Sequence, residues 1–151
     1  MGSSGGAHST VIQSGGRLLG RQVNDILEGR VVDAQGETPA RIVVLPNNKR
    51  SHGREGFIVD MTGADQSERQ AFLRMWRGRA NTDNSDAVWR RIYNLNIQRG
   101  ASDVVARNRA DVAKTRHSRD LMRNLLNRDA DSANPKFPNV TIKRNDKRYY
   151  R

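Results

Sequence analysis

Cysteine is absent from this chain of 151 residues, and aromatic side chains make up only 5% of it. Without cysteine the chain has no disulfide bond and no thiolate ligand for a metal ion. The hydrophobic fraction is 35%, which is low for a globular domain of this length. The composition therefore predicts a modest core with long arms rather than a compact enzyme.

Long apolar runs are also missing. No apolar stretch follows Met1 in the way that a secretory signal peptide requires, and none approaches the roughly 20 residues of a membrane-spanning helix. We therefore expect a protein with no membrane partner that acts in a virion or in a reducing intracellular compartment and is not secreted through a signal peptide.

Motifs of catalysis and cofactor binding are absent as well. No pair of histidines or carboxylates has metal-site spacing, and no phosphate-binding loop, nucleophile elbow or dinucleotide fingerprint occurs. We therefore expect no metal and no cofactor.

Reactive side chains cluster in one loop, which contains His52, Arg54 and Glu55. These residue types can supply the acid, the base and the phosphate clamp of a metal-independent ribonuclease. A small basic nuclease toxin, which requires an acidic immunity partner, is therefore the alternative function, whereas a solvated polar loop is the simpler interpretation of the same residues.

Positive charge is abundant, and it is unevenly distributed. The net charge is +11; residues 1–64 hold 7 basic against 6 acidic residues, whereas residues 65–151 hold 20 against 10. Only five of the basic residues are lysines. Arginine offers a planar fork that binds phosphate or carboxylate groups through two hydrogen bonds. The second part of the chain is therefore predicted to contact nucleic acid or an acidic protein surface.

Three helices are predicted over residues 65–131. The first begins with a capping box from Asp65 to Glu68, buries Phe72, Leu73 and Trp76 on one face, and is expected to end at Gly78. The second begins after Asn84 and ends at Gly100, with an apolar face formed by Val88, Trp89, Ile92 and Tyr93.

The third helix is the longest. It is predicted to be capped by Ser102 and to run to about Arg128, which gives a length of roughly 40 Å and suggests that it projects from the domain. A narrow stripe on it is formed by Ala106, Ala110, Ala113, His117, Leu121 and Leu125. Arg109, Arg116 and Arg123 recur every seven residues on another side, so one side can pack while the other presents guanidinium groups.

Strands are predicted before these helices, over residues 30–32, 40–45 and 56–61. The glycine and turn residues of 29–36 and 56–59 resemble the opening of a carboxypeptidase-regulatory-type β-sandwich. The helix predicted directly after Asp60 has no counterpart in that family, so the resemblance implies nothing further here.

The two ends of the chain differ in character. Residues 1–28 are predicted to form a flexible, glycine-rich arm with a short amphipathic helix between Leu18 and Leu27. Residues 132–151 are predicted to form an extended basic tail. Within this tail, residues 140–142 can add an edge strand to the chain's own sheet or to that of a neighbour.

Together these patterns predict an α+β fold in which a small antiparallel β unit at 29–64 is followed by a three-helix segment at 65–131, with an N-terminal arm and a basic C-terminal tail. The expected function is non-enzymatic: a structural component of a large nucleoprotein assembly, with a virion as the preferred case. Its arms are expected to contact other subunits, and its basic surface to contact DNA or RNA phosphates or acidic protein. The residues predicted to form that surface are Arg107, Arg109, Lys114, Arg116, Arg119, Arg123, Lys143, Arg144, Lys147, Arg148, Tyr149, Tyr150 and Arg151.

Overall fold

The computed structural model describes residues 9–13, 38–46, 55–80 and 85–145 and has an α+β fold. Four strands form one antiparallel sheet in the order β1-β2-β3-β4: β1 (Ser9–Gln13), β2 (Arg41–Leu45), β3 (Phe57–Asp60) and β4 (Thr141–Arg144). Three helices lie between β3 and β4 along the chain: α1 (Gln66–Ala80), α2 (Ser85–Gln98) and α3 (Asp103–Ala130). The predicted fold class is confirmed.

The central strands β2 and β3 are apolar on both faces. Ile42 pairs with Val59 and Val44 pairs with Phe57, and these four side chains face the main core. Val43 and its cross-strand partner Ile58 are buried on the opposite face. A strand that is buried on both faces favours an uninterrupted run of β-branched residues, which explains why the sequence of β2 does not alternate.

The main core lies between the sheet, α1 and the second half of α3. Phe72, Leu73 and Trp76 of α1 are buried there, as their helical spacing predicts. Met122 of α3 joins them, and Leu121 packs partly buried against the same cluster.

The predicted cap of α1 is confirmed in one half only. The Asp65 carboxylate accepts a hydrogen bond from the Glu68 backbone N–H at 2.8 Å. Glu68 does not return this bond; its carboxylate accepts bonds from the backbone and side-chain nitrogens of Asn139 at 2.8 and 3.0 Å. The helix also continues past Gly78 to Ala80, because a helical glycine costs only about 1 kcal/mol relative to alanine and does not force an end.

The predicted ends of the other two helices agree more closely with the structure. Gly100, two residues after the end of α2, has a φ of +90°, and Ser102 Oγ accepts a hydrogen bond from the Val105 N–H at the start of α3. The long helix α3 does not project alone as predicted. Its first half lies along α2 and its second half packs into the main core.

The ends of the described chain belong to the sheet. Ser9–Gln13, predicted to lie in a flexible arm, forms β1 and pairs with β2. Thr141–Arg144 pairs with β3, so the predicted edge strand joins the chain's own sheet. The predictions for residues 18–27, 30–32 and 146–151 lie outside the described residues. Within the described ranges, no helix has the length and apolar character needed to cross a membrane.

The return from α3 to the sheet is held by a carboxylate and an aromatic pair. Asp129 accepts hydrogen bonds from the backbone N–H groups of Lys136 and Phe137, both at 2.9 Å. The Phe137 ring then packs edge-on against Phe72, with centroids 5.6 Å apart. Phe137 and Val140 are therefore buried in the main core, whereas the other residues of 132–140 are exposed.

We expect Phe137→Ala to lower the free energy of unfolding by about 3–5 kcal/mol, because it removes a buried aromatic side chain and leaves a cavity beside Phe72. Urea denaturation followed by far-UV circular dichroism would measure the change. Lys136→Ala is the matched control, since that side chain is exposed. Equal losses in the two variants would contradict the assigned packing.

Asp60 links three strands electrostatically at one end of the sheet. The residue is only 6% exposed, and its carboxylate accepts hydrogen bonds from Thr62 N at 3.0 Å, Thr62 Oγ1 at 2.6 Å and Lys143 Nζ at 2.8 Å. Arg41 Nε lies 3.7 Å away on β2. Burial by itself raises the pKa of Asp60, but the bonds from Lys143 and Thr62 outweigh burial and hold this pKa well below its usual range.

Because the pKa of Asp60 is lower in the folded state, its ionised form stabilises the fold above about pH 4, and this stabilisation is lost as the pH falls further. We expect Asp60→Asn to lower the free energy of unfolding at pH 7 by about 1–3 kcal/mol and to flatten its acid dependence. Asp120→Asn, at an exposed position, serves as the control and should change stability by less than about 1 kcal/mol. An unchanged acid dependence in Asp60→Asn would refute the assignment.

Candidate nucleic-acid interface

Helices α2 and α3 form an antiparallel hairpin that stands beside the main core. The helices are joined by a four-residue turn, residues 99–102, and the α2–α3 pair is the most extensively packed of the element pairs described. Trp89 of α2 is buried, as are the small side chains of Ala106 and Ala110 in the facing half of α3. Small residues at these positions let the two helix backbones approach each other.

Hydrogen bonds join the two helices along the length of the hairpin. Lys114 Nζ donates to Asp86 at 2.9 Å, and the Trp89 indole N–H donates to Asp111 at 2.8 Å. Nearer the turn, Tyr93 donates to Asp103 and Arg109 donates to the Asn96 amide oxygen. Each bond joins α2 to α3, so the relative position of the two helices is set by hydrogen bonds as well as by apolar packing.

Arg107 completes a stacked group on one side of the hairpin. The rings of Trp89 and Tyr93 stack with centroids 5.1 Å apart, and the Arg107 guanidinium lies 5.6 Å from the Tyr93 centroid. Arg107 also donates to Asp103 at 2.9 Å. The hydrogen bond from Tyr93, followed by that from Arg107, lowers the pKa of Asp103, and the same Tyr93 bond raises the pKa of the tyrosine.

Several basic residues that were predicted to contact nucleic acid or acidic protein form ion pairs with carboxylates of this chain. Lys114 is only 4% exposed, so the structure places it inside the hairpin and not on the predicted contact surface. The other such cations are exposed or half-buried and are paired as follows: Arg107 with Asp103, Arg116 with Glu55, Arg119 with Asp120, and Lys143 with Asp60. Sequence reasoning found the charges but not these partners; Glu55, Asp60 and Asp86 lie on other segments of the chain, whereas Asp103 and Asp120 lie on α3 itself.

Of the three residues of the alternative nuclease prediction, the structure describes only Glu55. Glu55 lies just before β3, and its carboxylate accepts hydrogen bonds from Arg116 Nη2 at 2.7 Å and Nε at 3.0 Å. His52 and Arg54 lie outside the described residues, as do Lys147, Arg148, Tyr149, Tyr150 and Arg151 of the predicted basic surface. Within the described ranges, no group of histidine and carboxylate side chains could hold a metal ion.

The structure adds arginines that sequence reasoning did not select. Arg90 and Arg91 of α2 and Arg99 of the turn are exposed, and none of them has an ion-pair partner within the described ranges. Arg123 and Arg144, which the sequence did predict, also lack such a partner there. The signal for Arg90 and Arg91 was present, since both lie away from the apolar face of α2.

The outward face of α2 carries positive charge that no carboxylate in the described part of the chain pairs with. Arg90, Arg91, Asn94 and Gln98 are exposed along it. Asp86, one turn before Arg90, is the acidic residue of this helix, and its carboxylate is bonded to Lys114. Guanidinium and amide groups without competing carboxylates bind anions, and phosphate groups in particular, by paired N–H donors.

Comparison with known proteins gives no family assignment. No protein-family model, no curated protein and no solved structure matches this chain.

The two tryptophans provide a test of the hairpin bonds. We expect Trp89→Phe to lower the free energy of unfolding by about 1–2 kcal/mol more than Trp76→Phe does, because only Trp89 loses a hydrogen bond to a carboxylate. Trp76 is the matched control: it is buried, and its indole N–H has no partner within the described ranges. Chemical denaturation of both variants would measure the difference, and a larger loss for Trp76→Phe would contradict the prediction.

Proposed function

We propose that this protein is a non-enzymatic structural component of a nucleoprotein assembly, such as a virion. In this proposal the α2–α3 hairpin faces the nucleic acid and contacts its phosphates. The observation that supports it is the outward face of α2, where Arg90 and Arg91 are exposed and have no carboxylate partner within the described ranges.

The distribution of charge within the fold favours this role. Three of the cations have carboxylate partners within the protein: Lys143 pairs with Asp60, Lys114 with Asp86 and Arg107 with Asp103. By contrast, the guanidinium groups of Arg90, Arg91 and Arg99 lie on an exposed helix surface and at the hairpin turn. Binding that is dominated by such groups is independent of sequence and weakens steeply with salt.

The edges of the sheet suit a protein that contacts other subunits. Strands β1 and β4 each have one side without a neighbour in the sheet order of the described residues. An exposed strand edge can pair with a strand of another chain. Other subunits of the assembly are therefore proposed as partners at these strand edges. The hairpin is proposed to contact the nucleic acid.

The proposal is tested by the mass of the native particle, measured by size exclusion with light scattering before and after nuclease treatment. A large particle whose mass falls with nuclease or with added salt supports it. A species of 17.0 kDa that does not associate with nucleic acid at low salt refutes it. RNA degradation that His52→Ala abolishes would instead support the nuclease alternative.

The double variant Arg90→Gln plus Arg91→Gln tests whether the outward face of α2 binds nucleic acid. We expect it to reduce affinity for a duplex DNA probe and to reduce the slope of log affinity against log salt by about 2, because each arginine is expected to neutralise one phosphate. The measurement is fluorescence anisotropy over a salt series.

Arg74→Gln plus Arg128→Gln is the matched control for that measurement. It removes two guanidinium groups that are likewise exposed and unpaired within the described ranges, but they lie on α1 and at the end of α3. If both double variants weaken binding equally, net charge and not the face of α2 governs binding.

A further inference from the structure

A groove runs between α2 and α3 on the side of the hairpin that carries Arg109. It is lined by Ile92, Asn96, Asn108, Arg109, Val112, Ala113 and Arg116, and it has a volume of about 430 Å³. This volume falls in the range of small-ligand pockets, roughly 300–1,000 Å³. The groove is therefore large enough to take a single planar group, although it is open to solvent along its length.

The lining combines an apolar floor with basic rims. Ile92, Val112 and Ala113 are half-buried and supply the apolar part. Arg109 and Arg116 are two helical turns apart on α3, which corresponds to about 10 Å along the helix. A flat apolar group with anionic groups on either side would complement this arrangement.

Arg109 has no carboxylate partner among the residues that the structure describes. Its guanidinium donates a 2.6 Å hydrogen bond to the amide oxygen of Asn96, which is a neutral partner. Arg116 is paired with Glu55, but both members of that pair are partly exposed to solvent. Exposed ion pairs contribute little to stability, so a phosphate can compete with Glu55 for this guanidinium.

Asn108 adds an unsatisfied polar group to the same wall. Its Oδ1 atom is buried and has no hydrogen-bond partner within the described ranges, although the side chain lines the groove. A buried acceptor without a donor is unfavourable. A turn of this amide towards the groove would offer it to a donor on an occupant, such as the N–H groups at the edge of a nucleobase.

We infer that the groove takes an unstacked base of single-stranded nucleic acid, with Arg109 and Arg116 contacting the flanking phosphates. This inference rests on the proposed function and specifies its ligand. Bases in a duplex are stacked and paired and cannot enter a groove of this kind, whereas splayed bases of a single strand pack on apolar surfaces and arginine planes. The groove thus provides a preference for single strands that phosphate contacts alone do not give.

Fluorescence anisotropy with a labelled oligothymidylate of about 12 nucleotides, compared with a duplex of equal length, tests the inference. We expect the wild-type protein to bind the single strand more tightly. Ala113→Leu, which fills the groove without changing the charge, should weaken single-strand binding roughly tenfold and leave duplex binding unchanged. Circular dichroism reports whether the variant keeps its helices.

A second variant covers the case in which Ala113→Leu fails to fold. Arg109→Gln should weaken single-strand binding more than Arg74→Gln does, although each removes one exposed charge. Equal binding of single strand and duplex, with no selective loss in either groove variant, overturns the groove inference but leaves the proposed phosphate face intact.

Two further outcomes separate the remaining possibilities. Absence of binding to both probes at low salt refutes the proposed function itself. Polyglutamate that competes as well as an oligothymidylate of equal charge would show that the groove recognises acidic chains in general, and the base-specific inference would then be wrong.

Discussion

The carboxylate of Asp60 is the interaction on which the arrangement of the sheet depends. It lies at the end of β3, bonds to Lys143 on β4, is near Arg41 on β2, and accepts two bonds from Thr62 in the turn that leads to α1. A buried carboxylate requires such partners, because an uncompensated charge of this kind is strongly unfavourable. Three strands and the turn before the first helix therefore meet at this carboxylate.

Apolar packing and polar bonding are divided between two regions of the molecule. The main core is built from apolar side chains, among them Phe57, Phe72 and Trp76. The hairpin interior, in contrast, encloses Lys114 and Asp111 next to Trp89. Buried polar bonds of this type fix the geometry of a region more than they add to its stability. In the hairpin they hold α2 and α3 in a defined relative position. This agrees with a role for its outer faces and its groove in binding.

The sequence predicted the elements better than it predicted their contacts. Helical spacing located Phe72, Leu73 and Trp76 in the core, and cap chemistry located Ser102 and Gly100, because these signals are local. The strand formed by Ser9–Gln13 was missed, because its flanking glycines indicated flexibility and its partner lies some 30 residues further along the chain. Lys114 was misjudged for a similar reason: charge suggested the surface, and only the position of Asp86 explains its burial.

The order of strands along the chain has a consequence for folding. β4 pairs directly with β3, yet 80 residues separate Asp60 from its partner Thr141. During synthesis one side of β3 and part of the core stay open until all three helices and the return segment have been made. Contacts this distant in sequence slow folding and prolong the time during which an apolar edge is available to other chains. Completion of the sheet is therefore a late event in folding. A nascent chain that stops before β4 would leave the edge of β3 unpaired and open to association with other chains.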